Sequence, residues 1–320
     1  MKTALLFPGQ GSQAVGMGKA LAEEFPVAKE VFDRVDATLS QNLSKLMFEG
    51  PEAELTLTAN AQPALLATSM ATLRVLKTEK GFDSATQAAY VAGHSLGEYS
   101  ALCAAESLAL EDAARLLRLR GEAMQKAVPV GEGAMAAIFG LGFGPVVKIV
   151  TQAASDLYLA GAVCQAANDN GAGQVVISGT TAAVERGIEL AMIAGAKRAV
   201  LLPVSAPFHC ALMQPAAEAM QVALKDVDIR PPQPPLIANV EASAVSDPEA
   251  IRSGLVKQVT GTVRWRESVL YMHAHGVTRF VEIGTGKVLT GLVKRIVEGA
   301  KAISVGSPAD VAAFSASAHS

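Results

Sequence analysis

An α/β fold is expected for this chain: a mainly parallel sheet covered by helices, with a ferredoxin-like subdomain of βαββαβ order inserted into it. Short apolar runs alternate with longer helical patterns along most of the sequence, as happens where helices join parallel strands. Around residues 131–203 that alternation gives way to strand, helix, two strands, helix and strand in succession. Composition agrees, since half of the 320 residues are hydrophobic and only 18% are charged, which suits a compact core rather than a disordered chain.

The elements follow in order. The first strand is TALLF at 3–7, cut short by Pro8 and Gly9. AAYVAG at 88–93, RAVLLPVS at 198–205, PLIANV at 235–240 and VTRFVEIG at 277–284 supply further strands, and a helical pattern follows each except PLIANV. Inside the insertion the expected order is strand GAMAAIFG from 133, a helix over 144–154, strand AVCQAAND from 162, the turn NGAG, strand QVVISG from 174, a helix over 181–194, and RAVLLPVS. The domains are therefore expected to be 1–130 with 204–320, and 131–203. The terminal FSASAHS, with His319, is small and polar and should fray.

Several function classes drop out. A net charge of −3 and the lack of a basic stripe argue against nucleic acid. The apolar start ALLF is too short for a secretory segment, and no run reaches membrane-spanning length, so a cytoplasmic protein with no membrane partner is expected. Cys103, Cys164 and Cys210 are odd in number and lack CxxC spacing, which fits reduced, packed thiols and no structural metal.

The chemistry gathers at GHSLG, residues 93–97. This is G-x-S-x-G between an apolar strand and an alanine-rich helix, where Ser95 would occupy a strained elbow and the glycines would let strand and helix close on it. A serine nucleophile needs a base, and there are five histidines. His94 should point away from its neighbour, and His319 sits in the tail. His273 and His275 have H-x-H spacing but no third ligand nearby. His209, in SAPFHCALM, directly follows RAVLLPVS and is expected with Ser95 at the carboxyl edge of the sheet, where open α/β sheets bind ligands. A serine hydrolase would also want an acid, and Glu282 at a later strand end is the attractive one. On a helix over 110–126, Arg120 projects into the apolar stripe. Its guanidinium must then meet a carboxylate or phosphate, from the protein or from a ligand. The opening FPGQGSQAVGMGK fails both phosphate-loop patterns, because Ala14 stands where a third glycine belongs and Gln13 and Ala20 occupy required positions. It is expected instead to carry an oxyanion site made by the Gln10 and Leu96 amides, its glycines letting the backbone approach the reacting group.

Together FPGQGSQ, GHSLGE, RLRG and PFH, in this order and at these separations, resemble the malonyl-CoA:acyl-carrier-protein transacylases over essentially the whole chain. The resemblance implies an α/β-hydrolase-like large domain carrying the ferredoxin-like subdomain. It implies a malonyl group moved from CoA to the carrier's phosphopantetheine thiol through Ser95, with His209 as base and Arg120 on the malonyl carboxylate. It also implies Gln258 holding the histidine through its main-chain carbonyl, and Asn168 and Gln174 facing the acyl donor. Phe208 resembles the malonyl-selective members, where a ring crowds an α-methyl group. No cofactor beyond the substrates malonyl-CoA and acyl carrier protein is implied, and a monomer is. Lys197, Arg198, Arg264 and Arg266 are expected to meet an acidic carrier.

Overall fold

The computed structural model describes residues 2–157 and 161–315; His319 lies outside the described residues. Ten strands occur among them: β1 (Lys2–Phe7), β2 (Tyr90–Gly93), β3 (Gly133–Phe139), β4 (Cys164–Asp169), β5 (Gln174–Thr180), β6 (Arg198–Leu201), β7 (Leu236–Ile237), β8 (Ala244–Val245), β9 (Val277–Ile283) and β10 (Lys301–Val305). They form a six-stranded sheet of order β10-β9-β1-β2-β7-β8 and a four-stranded sheet of order β4-β5-β3-β6.

In the larger sheet every pair is parallel except β7 with β8. Its strands read as continuous apolar runs because both faces are covered. Along β1, Leu5 and Phe7 enter the main core while Ala4 and Leu6 enter a second core under the Trp265–Ala274 and Val288–Ile296 helices. The Thr58–Lys80 helix runs through the main core, buried almost all round, and packs on the Leu110–Ala127 helix. The approach is close: a Cβ on Gly121 would lie 2.6 Å from the Ala59 Cα.

The smaller sheet is antiparallel throughout. Its two-residue period sorts the side chains: Ala136, Ile138, Val175 and Ile177 pack under the Phe143–Asp156 and Thr181–Ile193 helices. Met135, Ala137 and Val176 face the main core. The order is that of a ferredoxin-like unit. Its edge is tied to the rest of the molecule where Asp169 N–H donates to Val263 O at 2.9 Å and Val263 N–H to Ala167 O at 2.9 Å.

Two expectations need correction. RAVLLPVS supplies no strand to the parallel sheet: it contributes only β6, an edge of the small sheet, and then runs irregularly through Pro203 and Pro207. A proline-interrupted stretch cannot keep donating to a ladder. The parallel sheet instead gains β10, KAISV, whose Lys301 and Ser304 dilute its apolar signal. No helix among the described residues is long and apolar enough to cross a membrane.

Candidate active site

Ser95 sits in the turn between β2 and the Gly97–Ala104 helix with φ 53°, a left-handed backbone that costs a non-glycine residue energy. The turn is held by its neighbours. A Cβ on Gly93 would fall 1.9 Å from the Gly97 carbonyl carbon, and one on Gly97 would fall 2.2 Å from Phe7 O, so both positions exclude a side chain. Asn239, just beyond β7, closes the turn from the other side: its Oδ1 accepts the Ser95 N–H at 2.8 Å and its Nδ2 donates to Gly93 O at 2.7 Å.

His209 meets Ser95 from a different part of the chain. Its Nε2 is 2.7 Å from Ser95 Oγ and its Nδ1 is 2.8 Å from Gln258 O. A carbonyl oxygen only accepts, so Nδ1 carries the proton and the Nε2 lone pair faces the hydroxyl, as a general base requires. Burial, reinforced by the charge of Arg120, pushes the imidazole down to about 3, so the ring is neutral. His209 also has a left-handed backbone, φ 58°. It reaches the serine from the loop after β6, not from a parallel strand end as the sequence suggested.

Arg120 is buried, 1% exposed, on the Leu110–Ala127 helix. Its Nη2 donates to Ser95 Oγ at 3.1 Å and Gln258 Oε1 at 2.9 Å, and its Nη1 to Gln62 Oε1 at 2.7 Å, while Nε has no partner among the described residues. Among the described residues no carboxylate lies at contact distance from it: its acceptors are neutral amides and a hydroxyl. Burial lowers its pKa, with Tyr99 and Glu98 opposing.

A cavity of about 470 Å³ opens over these groups, lined by Gln10, Ser95, Leu96, Arg120 and His209 and also by Asn168 and Phe208. Among the described residues, the backbone N–H groups of Gln10 and Leu96 donate to no protein acceptor. Gln174 does not line this cavity. It lines an adjoining one of about 450 Å³ that shares Gln10, His94 and Asn168 with the first. Gly9 of the opening loop packs on the serine elbow, where a Cβ would meet His94 O at 2.6 Å, whereas Gly11, with φ 98° and open space where a Cβ would stand, lines the cavity.

The remaining candidates separate. His94 points away from Ser95, its Nε2 2.9 Å from Asn170 Oδ1. His273 and His275 bond through Nδ1 to the carbonyls of Val277 and Tyr271. Glu282 is far from acting on His209: its two oxygens accept Leu289 N–H at 3.1 Å and Thr290 N–H at 2.7 Å, capping the Val288–Ile296 helix. Of the four expected docking cations, Arg264 is engaged by Glu267 and Arg266 by Asp169, while Arg198 lies over the Phe139 ring.

Sequence reasoning passed over Asn239, Glu98, Gln62 and Thr58. Glu98 Oε2 accepts Gln258 Nε2 at 2.6 Å and Asn239 N–H at 3.2 Å, and burial raises its carboxyl to about 7. Gln62 Nε2 donates to Thr58 Oγ1 at 3.1 Å, which donates to Gln10 Oε1 at 2.6 Å. Polar residues four apart within the apolar run after 57 were a usable signal for the last pair, on the reasoning that singled out Arg120.

The family described as acyl transferase domain matches residues 4–313. The chain is 50% identical over 307 residues to the malonyl CoA-acyl carrier protein transacylase of Bacillus subtilis (strain 168), covering 96% of this chain and 94% of that one. It is 46% identical over 310 residues to the transacylase of the same name from Escherichia coli (strain K12), covering 97% of each. The crystal structure of acyl-carrier-protein-S-malonyltransferase from Bartonella henselae superposes with a TM-score of 0.94 at 56% identity, covering 98% of both chains. A malonyl-transacylase in complex with its type II PKS acyl-carrier protein superposes with a TM-score of 0.92 at 43% identity, again over 98% of both.

Proposed function

Because the chain belongs to the acyl transferase family, among the malonyl CoA-acyl carrier protein transacylases, we propose that it moves a malonyl group from CoA to the phosphopantetheine thiol of acyl carrier protein for fatty-acid synthesis. The observation that carries the malonyl assignment is Arg120. A buried guanidinium whose Nη2 lies 3.1 Å from the nucleophile and whose protein partners are all neutral offers a dicarboxylic acyl group its free carboxylate site.

In the proposed cycle Ser95 Oγ adds to the thioester carbonyl while its proton passes to His209 Nε2. The Gln10 and Leu96 amides receive the developing oxyanion. Collapse expels the CoA sulfur, which takes the proton from His209, and malonyl remains as an ester on Ser95. The carrier thiol then gives its proton to the neutral Nε2 and attacks the ester, and Ser95 recovers its proton on departure. Gln258 plays two parts, its main-chain oxygen holding the imidazole and its Oε1 steadying Arg120. Phe208 crowds the space an α-methyl group would need, and Asn168 and Gln174 border the approach of the donor. The chemistry uses only the chain's own groups and its two acyl carriers. The proposed setting is the cytoplasm, where its three free thiols stay reduced.

Intact-mass analysis after mixing with malonyl-CoA tests this directly. An adduct of about 86 Da, one malonyl group, should form on the parent and be discharged by carrier thiol, and Ser95→Ala should form none. Steady CoA release in water without any acceptor would mark a hydrolase instead.

A further inference from the structure

The carboxylate anchor and the oxyanion loop are joined beneath the cavity by a chain of side chains whose polarity is fully determined. Arg120 can only donate, so the oxygen of Gln62 must face its Nη1, at 2.7 Å, and the Gln62 amide nitrogen must face Thr58. Thr58 Oγ1 accepts that N–H, leaving its single proton for Gln10 Oε1 at 2.6 Å, a separation typical of O–H···O rather than N–H···O. Thr58 and Gln62 are 0% and 1% exposed, while Gln10, at the outer end of the chain, lines the cavity. Reversing the Gln10 amide would take the acceptor away from the buried Thr58 hydroxyl. Thr58 is also locked in place, because its helix meets the Arg120-bearing helix where a Cβ on Gly121 would come within 2.7 Å of Thr58 O.

We infer that Thr58 is a positioning residue that sets the register between the Arg120 guanidinium and the Gln10 amide, and so favours acyl groups held at both ends. The inference rests on the malonyl-transfer reading above. A malonyl thioester would be fixed at its carboxylate by Arg120 and at its carbonyl by the oxyanion amides, so the span between the two anchors has to match the substrate in the transition state. An acetyl thioester is fixed at the carbonyl end alone, and a small drift of the Gln10 loop relative to Arg120 costs it less. Thr58 touches neither substrate nor the reacting atoms; it acts through Gln10.

The test compares Thr58→Val, which keeps shape and removes the hydroxyl, with Thr58→Ser, which restores it, in single-turnover acylation by malonyl-CoA and acetyl-CoA. Thr58→Val should lower the maximal malonylation rate about 10-fold or more, less than outright loss of an oxyanion donor, with half-saturation changed no more than about threefold. Acetylation should fall by about threefold or less, and Thr58→Ser should return both to near the parent. Malonylation by Thr58→Val within about twofold of the parent would overturn the inference, as would equal losses for the two donors or a failure of serine to rescue. Thermal unfolding of each variant separates these outcomes from misfolding. A parent that takes no malonyl group at all would instead sink the functional reading.

Discussion

At the scale of single residues, the groups proposed to react were legible because each breaks a local rule. Ser95 sits in a glycine-flanked elbow, and Arg120 lies on the wrong face of an amphipathic helix. His209 was identified by elimination among few histidines, although the reason given for its location was wrong. What stayed hidden are neutral amides and hydroxyls that hold the reacting groups in place. Gln62, Thr58 and Asn239 carry no charge, and apart from the Gln62–Thr58 bond their partners lie 48 to 146 positions away in sequence. The prediction that belongs here concerns selectivity. Arg120→Ala should cut kcat/KM for malonyl-CoA by about 100-fold or more, since a desolvated carboxylate loses its charged partner. Acetyl-CoA, which has no second carboxylate, should lose far less. Parallel rate measurements with the two donors check this, and equal losses would remove Arg120 from carboxylate recognition.

Among elements, the alternation of strands and helices was readable wherever the apolar period was unbroken, as in β1 and β9, and in the small sheet where the period is two. It misled where prolines end a run, as after β6, and it was silent where polar residues dilute a strand, as in β10. Glu282 shows the same limit: a lone acid at a strand end looks catalytic until the neighbouring helix is seen to begin on it. Its carboxylate accepts two amides of the Val288–Ile296 helix in a fully buried position. Glu282→Ala should therefore cost about 3 kcal/mol of stability, from charged hydrogen bonds lost and amides left bare. The folded fraction should still acylate Ser95 at a near-parental rate. Chemical denaturation and single-turnover acylation read the two effects separately; an acylation defect exceeding the stability loss would return Glu282 to the machinery.

Over the whole molecule, two buried titratable groups pull stability in opposite directions. Burial lowers the His209 pKa from 6.5 to about 3, so the unfolded chain gains a proton that the folded one refuses, and stability falls as pH drops through that interval. Burial raises the Glu98 carboxyl from 4.5 to about 7, so its contribution is complete below 4.5 and is lost as pH rises through 7. Glu98→Gln removes the second trend alone. The difference in denaturation midpoint, parent minus variant, should therefore decline steadily from pH 4.5 to about 7; a flat difference would mean that Glu98 titrates normally.

The proposed nucleophile, Ser95, stands on the six-stranded sheet, whereas the His209 imidazole arrives on a loop descending from the four-stranded one, and their 2.7 Å contact bridges the seam between the two. Competence is thus a property of how the halves are clasped. A small wedge driven into that seam would silence proton transfer while leaving both reactive side chains chemically untouched, so compounds that pry rather than plug offer a distinct way to stop the enzyme.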